Sequence, residues 1–165
     1  MNRRTLIFFV VFLTATCLAQ QSAKTEHQHP GPASADKGQY GHVHFPVSCS
    51  APAQDQFDIA VSMLHSFFYP ETVKAFTKVT EIDPTCAMAY WGIAISQRPN
   101  PLVPPFPSAA LKAGLEAAQK GLALNPTTQR EKDWLAAIEV FFKDYDKNDQ
   151  PTRAKLYTSA MQRMY

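Results

Sequence analysis

Apolar side chains recur at intervals of three and four along most of this chain. In residues 53–68 they are Phe57, Ala60, Val61, Leu64 and Phe68, the spacing of one helical face. Tyr69-Pro70 interrupts the pattern, and Pro70 suits the first turn of a second helix, where its missing N–H forfeits no bond. The second helix is predicted to reach about Ile82, with Val73, Phe76, Val79 and Ile82 turned inward and Asp83-Pro84 as its stop. Residues 87–97 predict a third helix. Residues 108–124 predict a fourth, with Ser108 as candidate N-cap and Asn125-Pro126 as its end. A fifth covers about 128–142, and a sixth starts at Pro151 and runs nearly to the last residue. No stretch shows sustained alternation of apolar and polar residues, so no sheet is expected and the class is all-α.

Ahead of the helices the pattern changes. Arg3 and Arg4 precede an apolar run from Leu6 to Leu13, and Cys17-Leu18-Ala19 supplies small residues at a cleavage site. That is the layout of a secretory signal peptide over residues 1–19, too short for a membrane span. A lipoprotein anchor on Cys17 is the alternative, with Thr16 a poor fit directly before it. The expected location is therefore periplasmic or secreted from a bacterium, with no membrane insertion after cleavage. Residues 20–48 carry Gln, Ser, Lys, His, Pro and Gly, and predict a flexible linker that buries too little to order itself.

Composition changes the picture in two places. Removing Arg3 and Arg4 with the signal takes the 16 Lys+Arg to 14, level with the 14 Asp+Glu. A neutral mature chain without a basic run lacks the footprint of a nucleic-acid binder or a polybasic membrane patch. The linker also holds four of the five histidines, His27, His29, His42 and His44, as two His-x-His pairs. Residues two apart on an extended segment face the same side, and imidazole suits copper, zinc or nickel, so a metal-handling tail is an alternative to an inert tether. Two cysteines remain after cleavage, Cys49 and Cys86, an even number in an oxidising compartment; a bridge and two separate thiols both remain open. There is no Cys-x-x-Cys, so neither thiol–disulfide catalysis nor c-type haem attachment is indicated.

The helices recur in pairs. Ile59-Ala60 and Ile93-Ala94 lie 34 residues apart, while Leu135-Ala136 follows Ile93-Ala94 by 42. Pro84 and Pro126 are also 42 apart, as are Phe76 and Ala118. One 34-residue unit with an insertion of 8 accounts for all three, and the insertion falls within the proline-rich residues 98–107. A 34-residue helix–turn–helix period marks a helical solenoid.

On these residues the chain resembles the tetratricopeptide-repeat family. The second unit supplies Tyr90, Ile93, Ala94, Gly114, Ala118, Gly121 and Pro126 at the family's positions. The first supplies Ile59, Ala60, Phe76 and Pro84, with Thr72 and Val79 where small residues are usual; the third supplies Leu135, Ala136, Tyr157 and Ala160. The segments Phe-Tyr-Pro-Glu-Thr-Val-Lys-Ala-Phe and Asp-Pro-Thr-Cys-Ala-Met-Ala-Tyr-Trp-Gly-Ile-Ala look like exported bacterial repeat proteins of undefined function, over about residues 42–165. The resemblance implies a right-handed α-α superhelix of about three helix pairs over residues 49–165. It places Ala60, Ala94 and Ala136 where paired helices cross, and Phe76 between units. Stacking of equivalent helices would then bring Cys49 and Cys86 to the same end of neighbours. That favours a bridge closing about 38 residues, worth about 4 kcal/mol.

The sixth helix presents Leu156, Tyr157, Ala160 and Met161 with no polar cap, although solenoids need one. The expectation is an N-terminal piece of a longer array, with self-association through that helix or fraying as alternatives. In this family ligands often lie on the concave face formed by the first helix of each unit. The matching positions are Gln54, Phe57, Val61, Leu64 and His65, then Met88, Trp91, Ile95 and Arg98, then Arg130, Asp133, Ala137, Val140 and Phe141. Aromatic and Arg side chains are common binding anchors, so Phe57, Trp91, Arg98 and Arg130 are the candidate partner-binding residues. An apolar inner face that is simply core is the competing explanation. No Gly-x-Ser-x-Gly, His-Glu-x-x-His, P-loop or Rossmann fingerprint occurs, so neither an enzyme nor a cofactor is expected. The sequence thus points to an exported helical-repeat scaffold that binds protein or peptide segments, with periplasmic metal handling by the His-bearing tail as the alternative.

Overall fold

A computed structural model describes residues 40–98 and 105–164 of the chain. Among the described residues are six α-helices and no strand: α1 (Ala51–His65), α2 (Tyr69–Ile82), α3 (Ala87–Ser96), α4 (Ser108–Ala123), α5 (Gln129–Phe142) and α6 (Gln150–Gln162). The expected signal segment and its Cys17 alternative, His27, His29 and residues 99–104 of the expected insertion lie outside the described residues.

Proline in the first turn starts α1, α2 and α6, where its fixed φ is already helical. Thr128 caps α5 by accepting the Glu131 N–H at 3.2 Å, and Asp149 caps α6 by accepting the Thr152 N–H at 2.9 Å. Ser108 does not cap α4: it is the first helical residue, and Pro107 stands before it.

Helix α1 ends earlier than its apolar spacing suggests, because the chain reverses at Ser66-Phe67. The Phe67 N–H donates to the Leu64 carbonyl at 3.1 Å and the Phe68 N–H to Met63 at 3.3 Å, the paired bonds of a Schellman ending. Glycine usually fills the left-handed position of that motif, yet here Phe67 holds it at φ +60° with a 70% exposed side chain. A left-handed L-residue costs about 1–2 kcal/mol. Glycine would relieve this but gives the unfolded chain about 0.5–1 kcal/mol more freedom. Phe67→Gly is therefore expected to leave urea-unfolding stability unchanged or raise it by up to about 1 kcal/mol. A clear drop in the midpoint would show that the ring contributes packing.

Each helix packs on the next, and α3 also meets both α1 and α5, so the first helices of successive pairs lie side by side. Small residues permit the close approaches. Ala60, Ala94 and Ala118 are fully buried. A Cβ at Gly92 would lie 2.3 Å from the Phe76 ring, and one at Gly114 2.4 Å from the Phe142 ring. Ala136 departs from the expected crossing role: it is exposed, and its neighbour Ala137 is buried. Helix α6 buries only Arg153 and Ala160, and a cavity of about 200 Å³ between α5 and α6 leaves Ala136 on its wall. Ile82 is also exposed, one turn beyond the last buried residue of α2, Val79. In α6, Leu156 is exposed as expected, whereas Ala160 is covered and Tyr157 meets the Phe141 ring at 6.2 Å.

Cys49 and Cys86 form a disulfide with Cα atoms 5.0 Å apart, tying the segment before α1 to the cap of α3. Beside it, Asp83 accepts from Thr85 Oγ1 at 2.7 Å, from the Thr85 N–H at 3.0 Å and from the Ser50 N–H at 2.8 Å. These bonds, that of the Thr85 hydroxyl first, hold the Asp83 carboxyl below its ordinary range. Their contribution is present above the ordinary carboxylate pKa and is lost as pH falls through the depressed value.

The flexible linker expected over 20–48 does not extend to its C-terminal part. After Gly41, whose φ is +82°, residues 42–47 follow an irregular, strand-like course, with Val43, Phe45, Val47 and Cys49 half-buried and His42, His44, Pro46 and Ser48 exposed. The apolar members of that alternation pack on the helical core, which supplies the burial that the segment lacks by itself. Residues 20–39 lie outside the described residues.

Candidate functional site

The extended segment, here termed the strap, runs across α1, α3 and α5 and is held mainly by helix side chains. Gln54 on α1 accepts the Val47 N–H at 2.8 Å and donates to the Phe45 carbonyl at 2.9 Å, so one amide pairs with the strap as a neighbouring strand would. Asp58, one turn on, accepts the Phe45 N–H at 3.0 Å and contacts His44 Nδ1 at 3.2 Å. From α5, Arg130 donates to the Pro46 carbonyl at 2.8 Å, and the buried Glu131 accepts the Ser48 N–H at 2.6 Å. Spacings of four on α1 and adjacent positions at the start of α5 aim these groups at one line of backbone.

Phe45 anchors the strap. Its ring stacks on Trp91 at 5.6 Å, meets Trp134 edge-on at 5.4 Å and tilts against Phe57 at 5.8 Å. The Arg130 guanidinium lies 4.5 Å from its centroid. Such ring pairs and cation–π contacts each contribute about 0.5–1.5 kcal/mol beyond area burial.

Past the Phe45 ring a cavity of about 330 Å³ opens. Phe45, Trp91 and Trp134 form one wall; Val61, Leu64 and His65 of α1 form another. Tyr69, Ile95, Arg98 and Tyr157 complete it. Phe67 meets Tyr69 edge-on at 6.2 Å, which places its exposed ring next to a wall residue. Arg98 sits 4.4 Å from the Phe141 centroid and 5.1 Å from that of Tyr157. Burial pushes its pKa below the ordinary value, with Tyr157 and Tyr69 opposing. Among the described residues it has no carboxylate partner, and Arg98 Nε and Trp91 Nε1 are enclosed without an acceptor. Arginine stays protonated even so, which leaves a cation among aromatic and aliphatic walls.

The four candidate residues fall around this site in different roles. Trp91 and Arg98 line the cavity, and Arg130 grips the strap. Phe57 is fully buried behind Trp91, at 6.4 Å between rings, and supports the wall rather than presenting a surface. Of the other inner-face positions, Met88, Ala137 and Phe141 are core, while Asp133 and Val140 line the cleft between α5 and α6. Phe45, Asp58, Glu131, Trp134, Tyr69 and Tyr157 were not foreseen at the site. The alternation around Phe45 is the signal that could have found one of them; the Thr-x-x-Glu spacing of Thr128 and Glu131 marks only the start of α5, because the Glu131 side chain turns to Ser48 and not back to the cap.

His42 and His44 both lie on the exposed side of the strap, as their spacing implies. His42 borders a second cavity of about 190 Å³ with Asp55 and Asp58. Among the described residues no three His, Cys, Asp or Glu side chains converge to hold a metal ion, and no helix is long and apolar enough to cross a membrane. Comparison with known proteins finds no matching family model, no matching curated protein and no matching solved structure.

Proposed function

We propose that the chain is an exported helical-repeat scaffold of the tetratricopeptide type, built as a right-handed superhelix of about three helix pairs, which binds an extended protein segment along the face of α1, α3 and α5. It is a binding protein rather than an enzyme, and it acts in the periplasm or outside the cell. The observation that carries the reading is the strap. Gln54, Asp58, Arg130 and Glu131 satisfy the backbone of a non-helical segment, and an aromatic cluster seats one of its side chains. A face that seats one extended segment in this manner shows how it takes such chain, and the apolar pocket beside the strap supplies side-chain selection for a second segment. The pocket beyond Phe45 is the part of that face with room to spare.

The test is selection from a random peptide library displayed on phage, with the chain from Gln20 onward as target. Enriched sequences should share an apolar or aromatic residue at one position. Their affinity should fall about tenfold or more in Tyr69→Ala, which removes a wall of the cavity and leaves the strap contacts in place. Absence of any enriched sequence would sink the reading.

A further inference from the structure

The cavity beside the strap has a chemical asymmetry. Its walls are mostly aromatic and aliphatic, as those of small-ligand sites usually are, with His65 among them, and Arg98 is the lining residue that is permanently charged. A charge removed from water is normally paired and hydrogen-bonded, because an uncompensated one is costly. Among the described residues Arg98 is not so paired. No Asp or Glu among the described residues reaches it, and its guanidinium donates no hydrogen bond to a described residue. The residues that follow it in the chain, 99–104, contain no acid. Phe141 and Tyr157 offer ring faces to the cation, yet ring faces do not take the place of oxygen acceptors for a planar fork of N–H donors.

A second, independent observation points the same way. Phe67 holds an exposed aromatic ring in a left-handed backbone conformation that disfavours it, and that ring abuts Tyr69 on the cavity wall. Strain of this kind concentrates at ligand-binding segments.

We propose that this cavity binds a carboxylate carried on an apolar body, with Arg98 as its counter-ion and the Trp91, Trp134 and Tyr69 rings around the apolar part. The inference deepens the binding role proposed above by naming the ligand chemistry. A free aliphatic or aromatic acid and the C-terminal residue of a peptide share that chemistry.

The chain supplies its own reporter, since its two tryptophans, Trp91 and Trp134, both line the cavity. Octanoate stands for a free acid and N-acetylphenylalanine for a chain end; methyl octanoate and N-acetylphenylalaninamide are their uncharged counterparts. Each is titrated into the chain from Gln20 onward while tryptophan fluorescence is followed. At least one acid should shift the emission saturably, with a Kd below about 1 mM, and its uncharged counterpart should bind about 10- to 100-fold more weakly. Which acid binds distinguishes the two sources. Arg98→Met should abolish the preference for the acid, and Arg98→Lys should keep part of it, with folding of both checked by helical circular dichroism. Equal binding of acid and uncharged counterpart to the unaltered chain would overturn the carboxylate assignment, and so would an unchanged preference in a folded Arg98→Met. Emission that neither acid moves would overturn it as well. The peptide selection is read independently, so loss of the carboxylate assignment and loss of the scaffold reading are distinguishable.

Discussion

Replacing Phe76 with alanine is expected to destabilise the domain by about 3–5 kcal/mol, and a methyl group added at Gly92 should then recover part of that loss. Phe76 is fully buried on α2, its ring packs edge-on against Phe57 at 5.3 Å, and it faces Trp91 at 6.4 Å. The same ring fills the space that a side chain at position 92 would need, with Cδ1 and Cε1 each 2.3 Å from an ideal Cβ. In the native background Gly92→Ala must move a ring that has nowhere to go, and overpacking of this type costs about 1–3 kcal/mol. In the Phe76→Ala background the obstacle is gone, the methyl fills part of the cavity, and alanine gains about 1 kcal/mol of helix propensity over glycine. The two substitutions should therefore be strongly non-additive, with a coupling of about 2 kcal/mol or more in a urea double-mutant cycle. Additive losses would mean that Gly92 is not kept small by Phe76, and the packing of α2 on α3 would need another explanation.

Removing the Cys49–Cys86 bridge is the other large effect. The bridge spans a sequence separation of 37, for which the chain-entropy argument gives about 4 kcal/mol. For a domain of this size the loss corresponds to a fall in Tm of about 10–20 °C. The bridge also holds one end of the strap beside Asp83 and Ser50. In the Cys49→Ala, Cys86→Ala double variant, strap release should precede global unfolding. Tryptophan emission would move to longer wavelength at temperatures where the helical signal is still intact, because Phe45 covers both indoles. Thermal scans followed by fluorescence and by far-ultraviolet dichroism make the comparison. A single coincident transition with Tm lowered by only a few degrees would contradict it.

The helices were legible because their start and stop signals are chemical. Pro52, Pro70 and Pro151 stand in first turns, and Asp83-Pro84 and Asn125-Pro126 follow last turns, so five of the twelve helix ends are marked locally, both ends of α2 among them. The disulfide followed from the repeat, since the first helices of successive pairs do lie side by side. The end of α1 was not legible: Phe67 occupies a conformation whose usual signal is glycine, so composition pointed onward into the next turn. Ala136 misled for a different reason. Its spacing matches Ala94, but a small residue is buried only if the partner helix closes on it, and α6 buries too little against α5 to do so.

The site was half legible. Trp91, Arg98 and Arg130 stand out as anchors by residue type alone. The strap escaped because polar His, Pro and Ser residues dilute Val43, Phe45 and Val47 until the segment reads as tail. Averaged hydropathy hides a stride of two over so few residues, whereas the inner face of α1, α3 and α5 is sensitive to each of them separately.

That grip has an evolutionary corollary. Gln54, Asp58, Arg130 and Glu131 clasp peptide groups, which every amino acid shares, and only Phe45 seats its side chain among the rings. Mutational drift along residues 42–48 should accordingly be filtered at every second site. The outward positions, His44 beside Asp58 excepted, are free to diversify under other pressures, while the ring at 45 and the sulfur at 49 stay pinned.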